Sequence, residues 1–291
     1  MMPLQILDAE KLKSKARIFI PGPSGSGKTY SALAMAKVFG KNVYVIDTEN
    51  KSSGDYSHEF GYKFKIIPIE DNFHPKRYIQ AMTMAYANGA DVLIIDSSTH
   101  EWSGPGGILE LHAIATQNSR NKGNSYTAWN DITPLHNEFL HAITHCPIHL
   151  IVTARAKTEY ALEMNPATGR NEVKELGMAP IQRDGMKFEF NFAGPMDLSH
   201  NWTITKSHYS ALDGLVVNKP GVEIAREILA YLNKGVDPVV DAEKRFFARF
   251  ATSIGGNDWS FVQQALDNDE LPKPTTVEEW DEMLLAMEGM L

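Results

Sequence analysis

Apolar positions along the chain fall into short continuous runs separated by longer helical stretches. Ala16–Ile20, Asn42–Ile46, Val92–Ile95 and Ile148–Thr153 read as strands. In Val92–Ile95 four apolar residues stand together without alternation, the pattern of a strand covered on both faces. Tyr62–Ile67 is a shorter strand candidate. Between these runs, Lys28–Phe39, Pro75–Asn88, Gly107–Thr116 and Trp129–Thr144 read as helices, with Gly40 and Gly89 placed to end the first two. This alternation predicts an α/β fold, a mostly parallel central sheet with helices on both faces.

The pattern then changes. Glu159–Glu163 and Glu172–Glu175 flank Asn165-Pro166-Ala167-Thr168-Gly169, turn chemistry that predicts a late β-hairpin. Lys187–Phe192 and Trp202–Lys206 read as further antiparallel strands, and Val222–Leu232 as a helix. Residues 233–238 read as a linker. Asp241–Thr252, Trp259–Leu266 and Thr276–Met287 then form a small helical C-terminal unit. The predicted organisation is a core over 1–236 and an appendage over 237–291.

Charge supports that division. The net charge of −8 sits in residues 237–291, which hold 12 acids against 4 bases, while 1–236 holds 24 of each. The core can therefore carry a basic stripe, and the acidic unit is either a solubilising surface or a docking site for a protein partner. A single cysteine, Cys146, excludes a disulfide framework and a multi-cysteine zinc site. No apolar run is long enough for a membrane span and no signal peptide is read, so a cytoplasmic location is expected. His136, His141, His145, Cys146 and His149 lie close together, with His141 and His145 one helical turn apart. No H-E-x-x-H accompanies them, and packing is the plainer reading.

The most specific feature is Gly22-Pro23-Ser24-Gly25-Ser26-Gly27-Lys28-Thr29, which fits G-x-x-x-x-G-K-S/T between a predicted strand and a predicted helix. Small residues at Gly22, Ser24, Gly25, Ser26 and Gly27 let backbone N–H groups turn toward phosphates, and the helix end adds partial positive charge there. Lys28 is placed to reach the β- and γ-phosphates, Thr29 to ligate Mg²⁺, and Tyr30 to adjoin the nucleotide. Asp96, at the end of Val92–Ile95, is the second candidate Mg²⁺ ligand. The expected ligands are ATP and Mg²⁺. None of Asn121-Lys122, Asn218-Lys219 or Asn233-Lys234 continues as N-K-x-D, so guanine specificity is not read.

Val45-Ile46-Asp47-Thr48-Glu49 places a glutamate just past the strand that follows the loop's helix, whereas Asp96 is followed by Ser97. In this the chain resembles RecA-like ATPases, and over roughly 15–215 it is most similar to phage-encoded members, including AAA-family and RecA-core single-strand annealing proteins. The resemblance implies that Glu49 orients the attacking water and that Tyr56 stacks on adenine. It also implies that Thr153 or Arg155 senses the γ-phosphate. Trp202-Thr203-Ile204-Thr205-Lys206-Ser207-His208 resembles the segment that carries two cations into a neighbour's ATP site, with Lys206 in the first position and His208 in the second. The implied active species is a ring or filament of identical chains that hydrolyses ATP on single-stranded DNA, in a bacterial host cytoplasm if phage-encoded. DNA contacts are expected at 97–124, with Trp102, Arg120 and Lys122. A second set is expected at 155–187, with Lys157, Tyr160, Arg170, Lys174, Arg183 and Lys187, although acids interleave there. Two other readings remain open: a small-molecule phosphotransferase, and a nucleotide-gated adaptor that recruits replication or packaging partners.

Overall fold

The computed structural model describes residues 9–58, 63–118, 123–164, 171–252, 260–268 and 271–288. These form two units, Lys15–Tyr231 and a second made of Met1–Ser14 with Leu232–Leu291.

The larger unit is an α/β sheet. β1 (Arg17–Gly22) feeds α1 (Lys28–Phe39), and β2 (Val43–Asp47) and β3 (Lys65–Pro68) follow. α2 (Pro75–Ala87) leads to β4 (Val92–Asp96), and α3 (Thr99–Ser103), α4 (Ile108–Gln117) and α5 (Ser125–Thr144) lead to β5 (His149–Met164). β6 (Asn171–Pro180) pairs back on β5. β7 (Phe192–Ala193), β8 (Asn201–Thr203), β9 (Lys206–Ser207), β10 (Val216–Asn218) and α6 (Val222–Leu232) complete the order. The sheet runs β3-β2-β4-β5-β1-β7-β9, parallel from β3 to β7, with β9 antiparallel at the edge. Residues of β1, β2 and β4 are buried throughout, which accounts for their continuous apolar runs. Phe19, Ile46, Leu93, Leu150 and Val152 pack with Tyr78 and Phe139 of α2 and α5 in the main core.

Several expectations change at the level of single elements. Lys187–Phe192 is not an antiparallel strand. Met186–Glu189 is a 3-10 turn, and the two-residue β7 runs parallel to β1. Trp202–Lys206 splits between β8, which pairs with β10, and β9, which pairs with β7. Gly40 ends α1 in an extended conformation, φ −174°. Glycine is needed there for space, since a Cβ would lie 2.3 Å from Asp91 Cβ. The hairpin forms as β5 and β6, paired from Ala156–Pro180 to Met164–Asn171, and its turn at 165–170 lies outside the described residues. The 3-10 turn Ser52–His58 and the short α3 carried no periodic signal.

In the smaller unit, α7 (Pro238–Thr252), α8 (Ser260–Asp267) and α9 (Val277–Glu288) enclose Phe246, Val262, Leu266, Trp280 and Leu284. Thr276 and Glu279 cap α9 reciprocally, Glu279 N–H donating to Thr276 Oγ1 (3.1 Å) and Thr276 N–H to Glu279 Oε2 (3.2 Å). The stretch read as a linker is held in place: Leu12 bridges Val236, and Val236 N–H donates to Lys11 O at 2.9 Å. At Gly235, φ 111°, a Cβ would fall 2.0 Å from Lys11 O.

Candidate active site

The site lies past the C-terminal ends of the parallel strands, where an open α/β sheet binds ligands. β1 ends at Gly22, whose missing Cβ lets Met196 O pass; a Cβ would meet it at 2.4 Å. Gly25 and Gly27 take φ of 81° and 89°, a left-handed conformation that glycine adopts without steric cost. α1 then begins at Lys28 with no side-chain cap, so its first N–H groups are left for a ligand. Ser24, Gly25, Gly27, Lys28, Thr29 and Tyr30 line a cavity of about 530 Å³. Gly22 and Ser26 of the same loop are not among the lining residues, and the buried Ser26 hydroxyl has no hydrogen-bond partner.

Lys28 Nζ donates to Pro23 O at 2.8 Å. Burial pulls its pKa down, against the attraction of Asp96 and Glu49. Asp96 is buried at the end of β4. Its Oδ2 accepts from Thr29 Oγ1 at 2.5 Å, and its Oδ1 accepts from Thr153 Oγ1 at 2.5 Å. Because β5 lies between β1 and β4, Thr153 meets Asp96 from the neighbouring strand. Burial raises the Asp96 pKa, and the two hydroxyls and Lys28 offset this in part. A buried carboxylate held by two hydroxyls is short of positive charge, and a divalent cation held by Thr29 and Asp96 would supply it. The donor set thus fits Mg²⁺ beside a polyphosphate.

Glu49 reaches the same cavity from the end of β2. Asp47, buried, holds the turn that carries it: Oδ1 accepts from Glu49 N–H (2.8 Å) and Lys51 N–H (3.1 Å), and Oδ2 from Ser53 N–H (3.0 Å). Ser97 N–H donates to Thr48 Oγ1 at 2.8 Å and so ties this turn to the end of β4. The Asp96–Ser97 peptide is cis. Arg155 clasps Glu49, Nε to Oε1 at 2.9 Å and Nη2 to Oε2, and Ser97 Oγ donates to Oε1 at 3.2 Å. Burial pushes the Glu49 pKa up, but Arg155, His100 and Ser97 together bring it below the ordinary value.

Tyr56 and Tyr30 line the cavity edge to face, with ring centroids 6.1 Å apart. Met196, His200 and Lys219 form another part of the wall, and nothing in the sequence pattern singled them out. His200 and Lys219 both have positive φ, 63° and 47°, and Lys219 N–H donates to His200 O at 2.8 Å. His200 Nδ1 donates to Ser26 O at 2.9 Å, which fixes this wall to the loop.

The remaining candidates lie elsewhere. Lys206 does not line the cavity of its own chain; its Nζ donates to Phe188 O, 6.0 Å from the Phe188 ring centroid. Lys157 and Lys187 are exposed, and Arg120, Lys122 and Arg170 lie outside the described residues. Trp102 stacks on Trp129 at 5.9 Å. His141 and His145 stack at 3.9 Å, and among the described residues no group of three or more His, Cys, Asp or Glu is arranged to hold a metal ion. Among the same residues no helix is long and apolar enough to cross a membrane.

A parallel sheet whose first strand turns through a glycine loop into a helix, with a lysine, a hydroxyl and a buried carboxylate at its end, defines a P-loop NTPase core. A family profile described as AAA domain matches residues 14–209, and the chain belongs to that family. No curated protein matches the chain.

Proposed function

We propose that this chain is a Mg²⁺-dependent ATPase that binds single-stranded DNA and serves phage-type recombination, annealing or replication. The observation that carries the ATPase reading is the convergence of Lys28, Thr29, Glu49 and Asp96, from three separate strand ends, on one cavity. Lys28 and the N–H groups opening α1 hold the β- and γ-phosphates, and Thr29 and Asp96 hold the metal. When bound, Mg²⁺ draws negative charge from the phosphate oxygens. Glu49 accepts a proton from water as the water oxygen bonds to the γ-phosphorus. The bond from that phosphorus to the β,γ-bridging oxygen breaks, and ADP leaves with the electron pair. Tyr56 and Tyr30 pack the base.

In this reading Lys206 completes a neighbour's site, so the working species is a head-to-tail ring or filament. DNA lies along the β5–β6 ribbon, which leaves the sheet immediately past Arg155 and carries exposed Lys157; the RecA-like resemblance supports this part. The acidic C-terminal unit docks a protein partner. Steady-state ATP hydrolysis without DNA, with single strands and with duplex, at several protein concentrations, tests the proposal. Stimulation by single strands that rises faster than linearly with protein is expected. A DNA-indifferent rate would replace this reading with the adaptor or the phosphotransferase.

A further inference from the structure

The Glu49–Arg155 pair presents a conflict for the reaction just described. A general base must offer a lone pair to water and be basic enough to take the proton. Here Glu49 has one oxygen under Arg155 Nε (2.9 Å) and Ser97 Oγ (3.2 Å), and the other under Arg155 Nη2. A bidentate guanidinium favours the ionised carboxylate and weakens it as a base. With Arg155 in place, Glu49 is poorly suited to activate water.

The same guanidinium lines the cavity with Lys28, Thr29 and Asp96. Its main chain is fixed: Arg155 N–H donates to Thr99 Oγ1 at 2.8 Å, and Arg155 O accepts from Ile181 N–H at 2.7 Å. Its side chain is 45% exposed, against 23% for Glu49, so the guanidinium can turn about a fixed root. A terminal phosphate carries more charge than a carboxylate and matches the guanidinium fork equally well. Bound as in the proposed function, ATP would bring such a group into the cavity that Glu49 lines, and ADP would not. Thr153, two residues before Arg155 on β5, is buried and committed to Asp96.

We propose that Arg155 is shared between Glu49 and the γ-phosphate, so that a bound triphosphate draws Arg155 off Glu49 and unmasks the base. Product ADP returns Arg155 to Glu49 and restores the masked state. The inference rests on the P-loop reading and deepens it. It makes Arg155 the positioning residue that distinguishes triphosphate from diphosphate, and it couples that distinction to the basicity of Glu49.

The test is calorimetric binding of ATPγS and of ADP, each with Mg²⁺, to the full chain and to Lys28→Ala, Glu49→Gln, Arg155→Lys, Arg155→Ala and the Glu49→Gln/Arg155→Ala double variant. Glu49→Gln frees Arg155, so ATPγS should bind more tightly while ADP is unchanged. Adding Arg155→Ala to Glu49→Gln should then weaken ATPγS about tenfold or more, the scale of a charge-assisted pair, and again leave ADP unchanged. Arg155→Lys, which keeps the charge but loses the fork, should fall between. Retained ADP binding shows that the loop is folded in each Glu49 and Arg155 variant. If Arg155→Ala leaves the ratio of ATPγS to ADP affinity unchanged in the Glu49→Gln chain, the sharing is refuted while the P-loop reading stands. If the full chain binds neither nucleotide, or Lys28→Ala binds both as well as the full chain does, the P-loop reading falls and the inference falls with it.

Discussion

Arg17 is a cation buried in the sheet, and its donors all go to carbonyls: Nε to Ile143 O at 2.9 Å, Nη1 to Ala16 O at 2.9 Å and Ile148 O at 2.7 Å, and Nη2 to Cys146 O. It therefore caps the end of α5 and fastens that end to β1 and β5. Arg17→Ala strips several buried carbonyls of their partner at once, and urea unfolding should show a loss of about 3 kcal/mol. His149, on the same strand pair, accepts from Ala16 N–H at 3.0 Å and stacks on Phe39. Burial, with Lys15 and Arg17 nearby, lowers its pKa from 6.5 to about 4. The unfolded chain therefore takes up this proton before the folded one does. The stability involved is whole above pH 6.5 and is lost as pH falls toward about 4, by up to about 3 kcal/mol. His149→Asn keeps an acceptor for Ala16 and should flatten the pH dependence of the unfolding midpoint across that window; an unchanged slope would place the proton uptake elsewhere. At this scale the sequence singled out Lys28, Thr29, Glu49 and Asp96, which the structure brings together at one cavity. It did not disclose Asp47, which reads as an ordinary end to an apolar strand. It also hid His200 and Lys219, which reach the cavity across more than a hundred positions of chain on left-handed backbone that has no residue-type signature.

Among elements, legibility follows length and burial. α1 runs from Lys28 to Phe39 as its composition indicates, because a glycine loop and Gly40 bracket it sharply. β1, β2 and β4 are equally plain, since burial on both faces leaves no choice of residue type. β7 and β9 have two residues each, too few to show a period, and their pairing is set by β1 rather than by their own sequence. The turn from Asp47 to Ser53 is likewise invisible to periodicity, although it decides where Glu49 stands. Asn50 and Lys51 hold positive φ there, 57° and 62°, against the hydrogen bonds to Asp47. Asp47→Asn leaves an amide facing Ser53 N–H in place of an acceptor. Turnover should drop by roughly tenfold while nucleotide affinity holds, because the change misplaces Glu49 without touching the loop that binds phosphate. Single-turnover rates alongside equilibrium binding check this, and parallel losses in both would mean a general collapse of the site.

On the scale of the whole molecule, the chain divides into a nearly neutral α/β unit and an acidic helical one that takes residues near the N-terminus with it. The acidity of the second unit was plain from the sequence. The pairing of Lys11–Lys13 with the stretch around Val236 was not, because a pairing between segments more than two hundred positions apart leaves no local pattern. If Lys206 serves a neighbour's site, Lys28→Ala and Lys206→Ala chains are each inactive alone, and mixing them creates interfaces that have an intact loop and an intact donor. ATP hydrolysis should then recover to roughly a quarter of the full rate for random association. No recovery on mixing would confine Lys206 to the Phe188 contact in its own chain.

If one cavity binds ATP through Lys28 and hydrolyses it through Glu49, the two steps separate by mutation. The most direct measurement compares ATP binding and multiple-turnover hydrolysis in the Glu49→Gln and Lys28→Ala chains, with Mg²⁺ and single-stranded DNA present. Glu49→Gln should bind ATP at least as well as the parent chain yet turn over at least a hundredfold more slowly, whereas Lys28→Ala should lose binding itself. Hydrolysis by Glu49→Gln at the parent rate would contradict that role of Glu49.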